Sequence, residues 1–563
     1  MRSVSIQNLV ITSLYAGMLL APLTLRAAGP VSPDTGSLLQ EMKPAQSQTA
    51  PSSKPGLKIE SPAAHNIPAG TPFAVKTIKI TGNTLFDTPT LHALVADGEG
   101  KQVDLSQLYQ LAARITDYYH SHNYPLARAV IPAQTIHDGT VNIEVIEARY
   151  GRISLDNNSR VNDSLLQETL SPLNSGDFIS QAQVDHTLLL LSDLPGIVIN
   201  ATLQPGDKVG TSDLQVQTDS PATVTGSLAV DNYGNRYTGR VRGGGSVYLI
   251  NPMHHGDVLS ANVLTSGSDL AYGRVGYELQ FNGYGSRVGS SFTAVHYALG
   301  DSLQSLGGHG NAYLWNVWVR HPFIRSPGMN LYGRIEFDHK RLHDRIDTGS
   351  IRNDRFVNDL VLSLSGNRHD DFLTGGIDSL QVDATYGHLH FNDAVTATND
   401  QATAKTQGGF LKWDLQVSRL QALTPKDSLY VAAAAQWTNG NLDTSEKLTI
   451  GGPYTVRAYD LGAESGDTGY RVTAELRHNF GQTPYGNWQA RAFIDNAHVT
   501  FNHKSWAAGT NSATLTGAGI ELDWTGPHRL TASLVVATPF GATPALAGTT
   551  RATRAWIEVS ERF

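Results

Sequence analysis

From about Ser220 to the final Phe563, the chain is a succession of short segments in which apolar and polar residues alternate, separated by Gly, Asn, Asp and Pro. A period of two sends successive side chains to opposite faces of a strand. In residues 270–281, Ala271, Gly273, Val275, Tyr277, Leu279 and Phe281 share one face, and Tyr272, Arg274, Glu278 and Gln280 the other. Residues 470–480 repeat the pattern, with Tyr470, Val472, Ala474, Leu476 and Phe480 set against Arg471, Thr473, Glu475 and Arg477. A soluble sandwich could turn the charged face to bulk water. A transmembrane barrel accounts for more: long strands, turns that alternate between short and long, and an aromatic last residue. At roughly 21 residues per strand and loop, the last ~340 residues hold about 16 strands, an even count as in bacterial barrels.

Composition agrees with a wall that is greasy outside and wet inside. The chain is 40% hydrophobic and 16% charged, with a mean hydropathy of -0.22. That is too polar for a helical membrane protein and low in charge for a soluble enzyme. A formal charge of -8 argues against a nucleic-acid partner. Zero Cys excludes disulfides and thiolate metal sites. The N-terminus reads as a secretory signal: Arg2, then an apolar stretch from Leu9 to Leu23 interrupted by Thr12, Ser13 and Gly17, with cleavage expected after Ala27. The alternative is a membrane anchor, but the stretch is short of the roughly 20 apolar residues a span needs. No later segment is longer, so a membrane must be crossed by strands.

Five segments follow: a signal at 1–27, a Pro-rich linker at 28–72, two small domains at 73–147 and 148–219, and the barrel at 220–563. Eight prolines from Pro30 to Pro72 keep the linker extended. Residues 36–43 could form a short helix that ends before Pro44. The first domain starts with a strand at 75–80, followed by helices at 89–96 and 105–120. Leu108, Leu111, Ala112, Ile115 and Tyr119 form one apolar face of the second helix. Strands at 127–131 and 141–146 close the unit through His137-Asp138-Gly139. The second domain repeats that order, with a strand at 150–155, helices at 163–170 and 180–192, and strands at 198–204 and 213–218. Each is a β-α-α-β-β unit, so the fold class is a transmembrane antiparallel barrel preceded by two small α+β domains.

Residues 451–459 read Gly-Gly-Pro-Tyr-Thr-Val-Arg-Ala-Tyr. With this order of domains, the chain resembles the outer-membrane transporters of two-partner secretion, the ShlB/FhaC/HecB haemolysin secretion/activation family. The two small units then resemble POTRA domains. Val456, Arg457, Ala458 and Tyr459 match the Val-Arg-Gly-Tyr/Phe motif at the tip of the sixth extracellular loop, which folds back into the lumen. Ala458 stands where the motif has Gly, a costly exchange if that position needs a positive φ. The family pairs the motif Arg with an Asp in a Phe-x-Asp pattern, matched by Phe493-Ile494-Asp495. Alternation independently sends Gln489, Arg491, Phe493 and Asp495 into the lumen. Leu194-Pro195-Gly196, Pro205-Gly206 and Ser212-Asp213-Leu214 are similar to the end of the second POTRA domain. Residues 231–234, Asn251-Pro252 and Gly256-Asp257 are similar to the first barrel strand and first periplasmic turn.

The resemblance implies that the POTRA domains, in the periplasm, capture the secretion domain of an exported partner, a β-helical adhesin or cytolysin. The barrel, held in outer-membrane lipid, would pass it outward in extended form. Residues 38–43 resemble the family's N-terminal helix, which can occupy the pore at rest. No nucleotide-binding motif is present to supply energy, so folding of the partner outside would bias the transit. A barrel-assembly factor of the same superfamily has the same plan and is the first alternative. An outer-membrane enzyme is the second: His254-His255 and His369-Asp370-Asp371 could suggest a metal, but they read as solvated loop residues. A general porin would have no use for the two repeats. No catalytic set, metal or cofactor is expected.

Overall fold

The computed structural model describes residues 33–42, 57–59, 71–541 and 553–563. The expected signal peptide and its cleavage point, and most of the linker, lie outside these residues. Sixteen antiparallel strands close a barrel. It starts at Val224–Asp231 and is sealed by Arg554–Arg562, which pairs back onto that first strand from Ser227↔Arg562 to Asp231↔Glu558. Closure satisfies every strand edge, the condition for strands in lipid.

The expected alternation sorts the wall. Val275, Tyr470, Leu476 and Ile494 are exposed on the outer face, whereas Glu475, Phe493 and Asp495 are buried inside. Turns at one end are short, such as 326–328 and 484–485, and connections at the other are longer, such as 392–407 and 439–467. Ile351–Asp370 runs for 20 residues. A tilted strand needs only about 9–11 residues to cross a bilayer, so the longest strands carry the wall well beyond the lipid.

Two α+β units precede the barrel. In the first, Asp104 and Gln107 form a capping box at the start of helix Leu105–Ser121, and the apolar face named above is buried. The expected opening strand is divided. Phe73–Val75 pairs with Lys101–Val103, and Thr77–Thr81 joins a three-stranded sheet. The division falls at Lys76, whose backbone N–H donates to Gly139 O. Strand Lys101–Val103 went unread because three residues carry no periodicity.

The second unit is built on Arg149–Asn158, Val198–Pro205 and Thr211–Asp219. Its sheet gains a fourth strand from the linker: Leu57–Ile59 lies parallel to Val198–Pro205 and covers that edge. In helix Gln181–Ser192, the consecutive residues Thr187, Leu188, Leu189, Leu190 and Leu191 are buried on every side, because this half of the helix is covered on two sides. Leu188 and Leu191 pack into the unit's own core. Leu190 meets Gly285 of a barrel turn, where a Cβ would come within 2.8 Å of it. Just past the helix, Asp193 receives two hydrogen bonds, of 2.7 and 2.8 Å, from the buried Arg325. These contacts fix the unit at the short-turn mouth of the barrel.

Candidate functional site: the barrel lumen

Two segments fill the lumen. The first is the connection after strand Asp427–Thr438, which descends into the barrel as a hairpin, Leu448–Ile450 against Glu464–Gly466. Gly451 and Gly452 turn its tip with φ of 96° and 102°. A Cβ on Gly451 would lie 2.5 Å from Asp460 O, so only glycine serves there.

At the tip, Arg457 is surrounded by acceptors. Its Nε and Nη2 bond the two oxygens of Asp495 at 2.9 and 2.8 Å, and its backbone N–H donates to the same carboxylate at 3.1 Å. Nη1 lies 2.8 Å from Glu475 and 3.0 Å from Glu521. The guanidinium stacks 3.4 Å above the centre of the Phe493 ring. Trp556 Nε1 donates to Arg457 O at 2.7 Å. Asp495 is fully buried. A bidentate, charge-assisted pair enclosed in this way fixes position as well as energy.

Ala458 answers the conformational question raised by the sequence. It does not adopt a positive φ, so a side chain is tolerated. Its methyl faces Gly517, where an added Cβ would come within 2.4 Å of it. Val456 and Tyr459 are buried beside it. All six motif residues therefore meet at one place. The sequence placed Thr473 and Glu475 only on the polar face of their strand, without linking them to Arg457, and left Glu521, Trp556 and Gly517 unnamed. The inward parity of strand Ser512–Thr525 was the available signal for Glu521 and Gly517.

The second segment is helix Thr35–Glu41, which starts one residue before the expected span of 36–43, ends two residues before its end, and is capped by Met42. Asp34 caps it, accepting from Ser37 N at 2.8 Å. Leu38 and Leu39 are buried in a cluster with barrel residues such as Tyr297, Leu342 and Val357. Gly36 approaches Ser445 so closely that a Cβ would sit 2.6 Å from its backbone N. Polar contacts converge on Arg355, which is only 1% exposed. It reaches Asp443 at 2.6 Å, Asp344 at 2.7 Å and Asp34 at 3.2 Å. Asp344 also accepts from Thr35 N at 2.9 Å and Thr35 Oγ1 at 2.8 Å. One arginine of the wall thus ties together the helix, a strand and the base of the loop. Lys340 and Lys412 grip Glu446 of that base in the same way.

Below the helix remains a polar cavity of about 880 Å³, bounded by Met42 at one end and Asp193 at the other. Arg274 lines it. Glu278 pairs with Arg287 at 3.2 Å and Arg477 with Glu475 at 2.7 Å. His254 sits in the turn at 251–257, where its ring meets Arg160 O at 2.5 Å and its carbonyl accepts from Asn162 N at 2.9 Å. Those contacts dock the second α+β unit. Among the described residues, no cluster of metal-binding side chains occurs.

A closed barrel of this kind, with α+β units at its short-turn mouth and its longest loop folded into the lumen, defines an outer-membrane barrel protein with appended α+β units. The haemolysin secretion/activation protein ShlB/FhaC/HecB family matches residues 210–524, and the ShlB-type POTRA domain matches residues 73–148. The chain belongs to this family. It is 28% identical over 455 residues to the heme/hemopexin transporter protein HuxB of Haemophilus influenzae (strain 86-028NP), covering 79% of this chain and 80% of that protein. Outer membrane transporter CdiB of Escherichia coli O6:K15:H31 (strain 536 / UPEC) is 23% identical over 501 residues, 83% of this chain and 82% of its own length. The solved structure of CdiB from Escherichia coli shares the fold with a TM-score of 0.70 at 20% identity, both chains covered in full. The protein is thus an outer-membrane transporter of two-partner secretion, with its POTRA domains in the periplasm.

Proposed function

We propose that the POTRA units bind the secretion domain of a β-helical exoprotein, an adhesin or a cytolysin, and that the barrel passes it outward after helix Thr35–Glu41 has left the lumen. The ten-residue strand Arg149–Asn158 supports the docking step, because it is an edge of its sheet and, past the contacts that residues 175–178 make with Arg149–Gly151, leaves residues 152–158 for an extended partner to add to. In this reading Val456, Arg457, Ala458, Tyr459, Phe493 and Asp495 perform no chemistry; they set where the loop rests. The protein is not an enzyme and uses no cofactor. The chain divides as its sequence suggests, with a signal at 1–27, a linker at 28–72, POTRA units at 73–147 and 148–219, and a lipid-embedded barrel at 220–563.

The observation that carries the reading is the manner in which the helix is held. It is a separate seven-residue element that, among the described residues, makes no backbone–backbone hydrogen bond to a barrel strand, so it can depart without unpairing a single barrel strand. The natural chain has no Cys, so an engineered pair is the only thiol chemistry present. Gln40 already donates its side-chain amide to Ser445 O. Gln40→Cys combined with Ser445→Cys should stop export when oxidised and restore it on reduction. Undiminished export by the oxidised pair rules out departure of the helix.

A further inference from the structure

The lipid-facing wall carries one feature that transport does not use. A groove of about 500 Å³ crosses five strands near the short-turn, periplasmic end of the barrel. Its floor is one register row, Leu331↔Gly366↔Leu380↔Val417↔Ala433. Gly366 and Ala433 leave the furrow, and Leu364 and Leu380 stand beside it, exposed at 40% and 44%. The next row toward the periplasm reads Met329↔Arg368↔Asp378↔Arg419↔Val431, and all five residues line the groove. Charges on an outward face are tolerated only toward the membrane–water boundary. Arg419 is engaged, reaching Asp370 at 2.8 Å and Asp378 Oδ1 at 2.7 Å. Arg368 is exposed, and among the described residues it forms no ion pair; Asp378 Oδ2 accepts no hydrogen bond there.

The groove therefore ends in an available cation and an available carboxylate oxygen on directly opposed residues, with an apolar furrow leading away from them. We propose that it binds one phospholipid of the periplasmic leaflet whose headgroup carries both a phosphate and a primary ammonium, a phosphatidylethanolamine. Arg368 takes the phosphate through charge-assisted hydrogen bonds, Asp378 accepts from the ammonium, and an acyl chain lies along the Gly366–Ala433 row. A phosphatidylglycerol lacks the ammonium, and a phosphatidylcholine has no N–H to donate.

The test is native mass spectrometry of the full-length protein released from micelles containing equal amounts of phosphatidylethanolamine, phosphatidylglycerol and phosphatidylcholine with identical chains. One retained lipid is expected, with phosphatidylethanolamine favoured about tenfold, the worth of one charge-assisted hydrogen bond. D378N should remove that preference, R368Q should lower retention of all three lipids, R368K should keep both retention and preference, and A433F, which fills the furrow with another apolar side chain, should abolish retention of all three lipids. Folding of each variant is checked by its strand circular dichroism and heat-modifiable mobility. Equal retention of the three lipids by the natural protein, a preference unchanged in D378N, or retention unchanged in R368Q, overturns the proposal. So does a retained lipid in folded A433F.

Discussion

The loop tip and the helix occupy the same lumen but are held in opposite styles. The tip is tethered at both ends to barrel strands, and its Arg457 is enclosed by Asp495, Glu475 and Glu521, with Phe493 beneath it. The helix is a short separate element whose polar contacts gather on Arg355 and whose apolar contacts come from Leu38 and Leu39. Truncating Arg457 would leave the fully buried Asp495 without a cationic partner, while Glu475 keeps Arg477 and Glu521 keeps Arg491. Undocking the helix lets Asp34 regain water, while Arg355 keeps Asp344 and Asp443. The tip is thus locked through one buried carboxylate, Asp495, that has no other cationic partner among the described residues, whereas the helix, which we propose departs, is held by barrel charges that keep other partners.

The difference can be broken most severely at Arg457. Arg457→Ala should cost about 3–5 kcal/mol, the penalty for leaving buried charge without its partner, and should abolish export. Export, and protease access to the loop in whole cells, would report it. The exchange Arg457→Asp with Asp495→Arg should recover little, since an acid at 457 would face Glu475 and Glu521; full recovery would reduce the cluster to a simple pair. At the helix, Asp34→Ala removes a cap and one contact to Arg355. It should weaken docking by about 2 kcal/mol, raising resting conductance in planar bilayers while export continues.

A smaller effect is expected from pH. Burial pushes the Glu41 carboxyl from its ordinary 4.5 up to about 7; its Asn235 hydrogen bond and Arg242 work the other way, and Asp34 adds to the rise. Asp34 moves in the same direction, through burial and then Asp344, opposed by Arg355. The docked helix therefore binds its proton more tightly than the released one. The extra docking energy is fully present below 4.5, shrinks as pH rises from 4.5 to about 7, and is absent above that. Channel opening should increase across this window and then level off, and Glu41→Gln should flatten the dependence. Smallest of all, Ala458→Gly should cost only about 0.5–1 kcal/mol, through lost backbone restriction, because Ala458 is unstrained. Its thermal unfolding would show this, and a gain in stability would mean that the tip does require glycine.

Much of this was legible in one dimension. Strict alternation in 470–480 and 488–495 sorted the lumen from the lipid, because a strand has only two faces and lipid accepts only one kind of residue. The helical face of 105–120 was equally plain. Arg457 and Asp495 stood out through motif and parity together. Arg355 did not: it is an Arg in an alternating strand like several others, and only the arrival of Asp34 and Asp443 from distant parts of the chain makes it a junction. Leu57–Ile59 was hidden for a similar reason, since three residues among prolines become a strand only when a sheet edge is offered.

The amino-acid order by itself determined a barrel of about sixteen strands with two small units before it, because period and turn spacing are local properties that no packing can reverse. Only the tertiary structure decided which inward charges face one another across the lumen, why Ala458 is acceptable opposite Gly517, and how the linker and the helix are used. Those depend on closure, which brings strands separated by more than a hundred residues to within the length of a hydrogen bond.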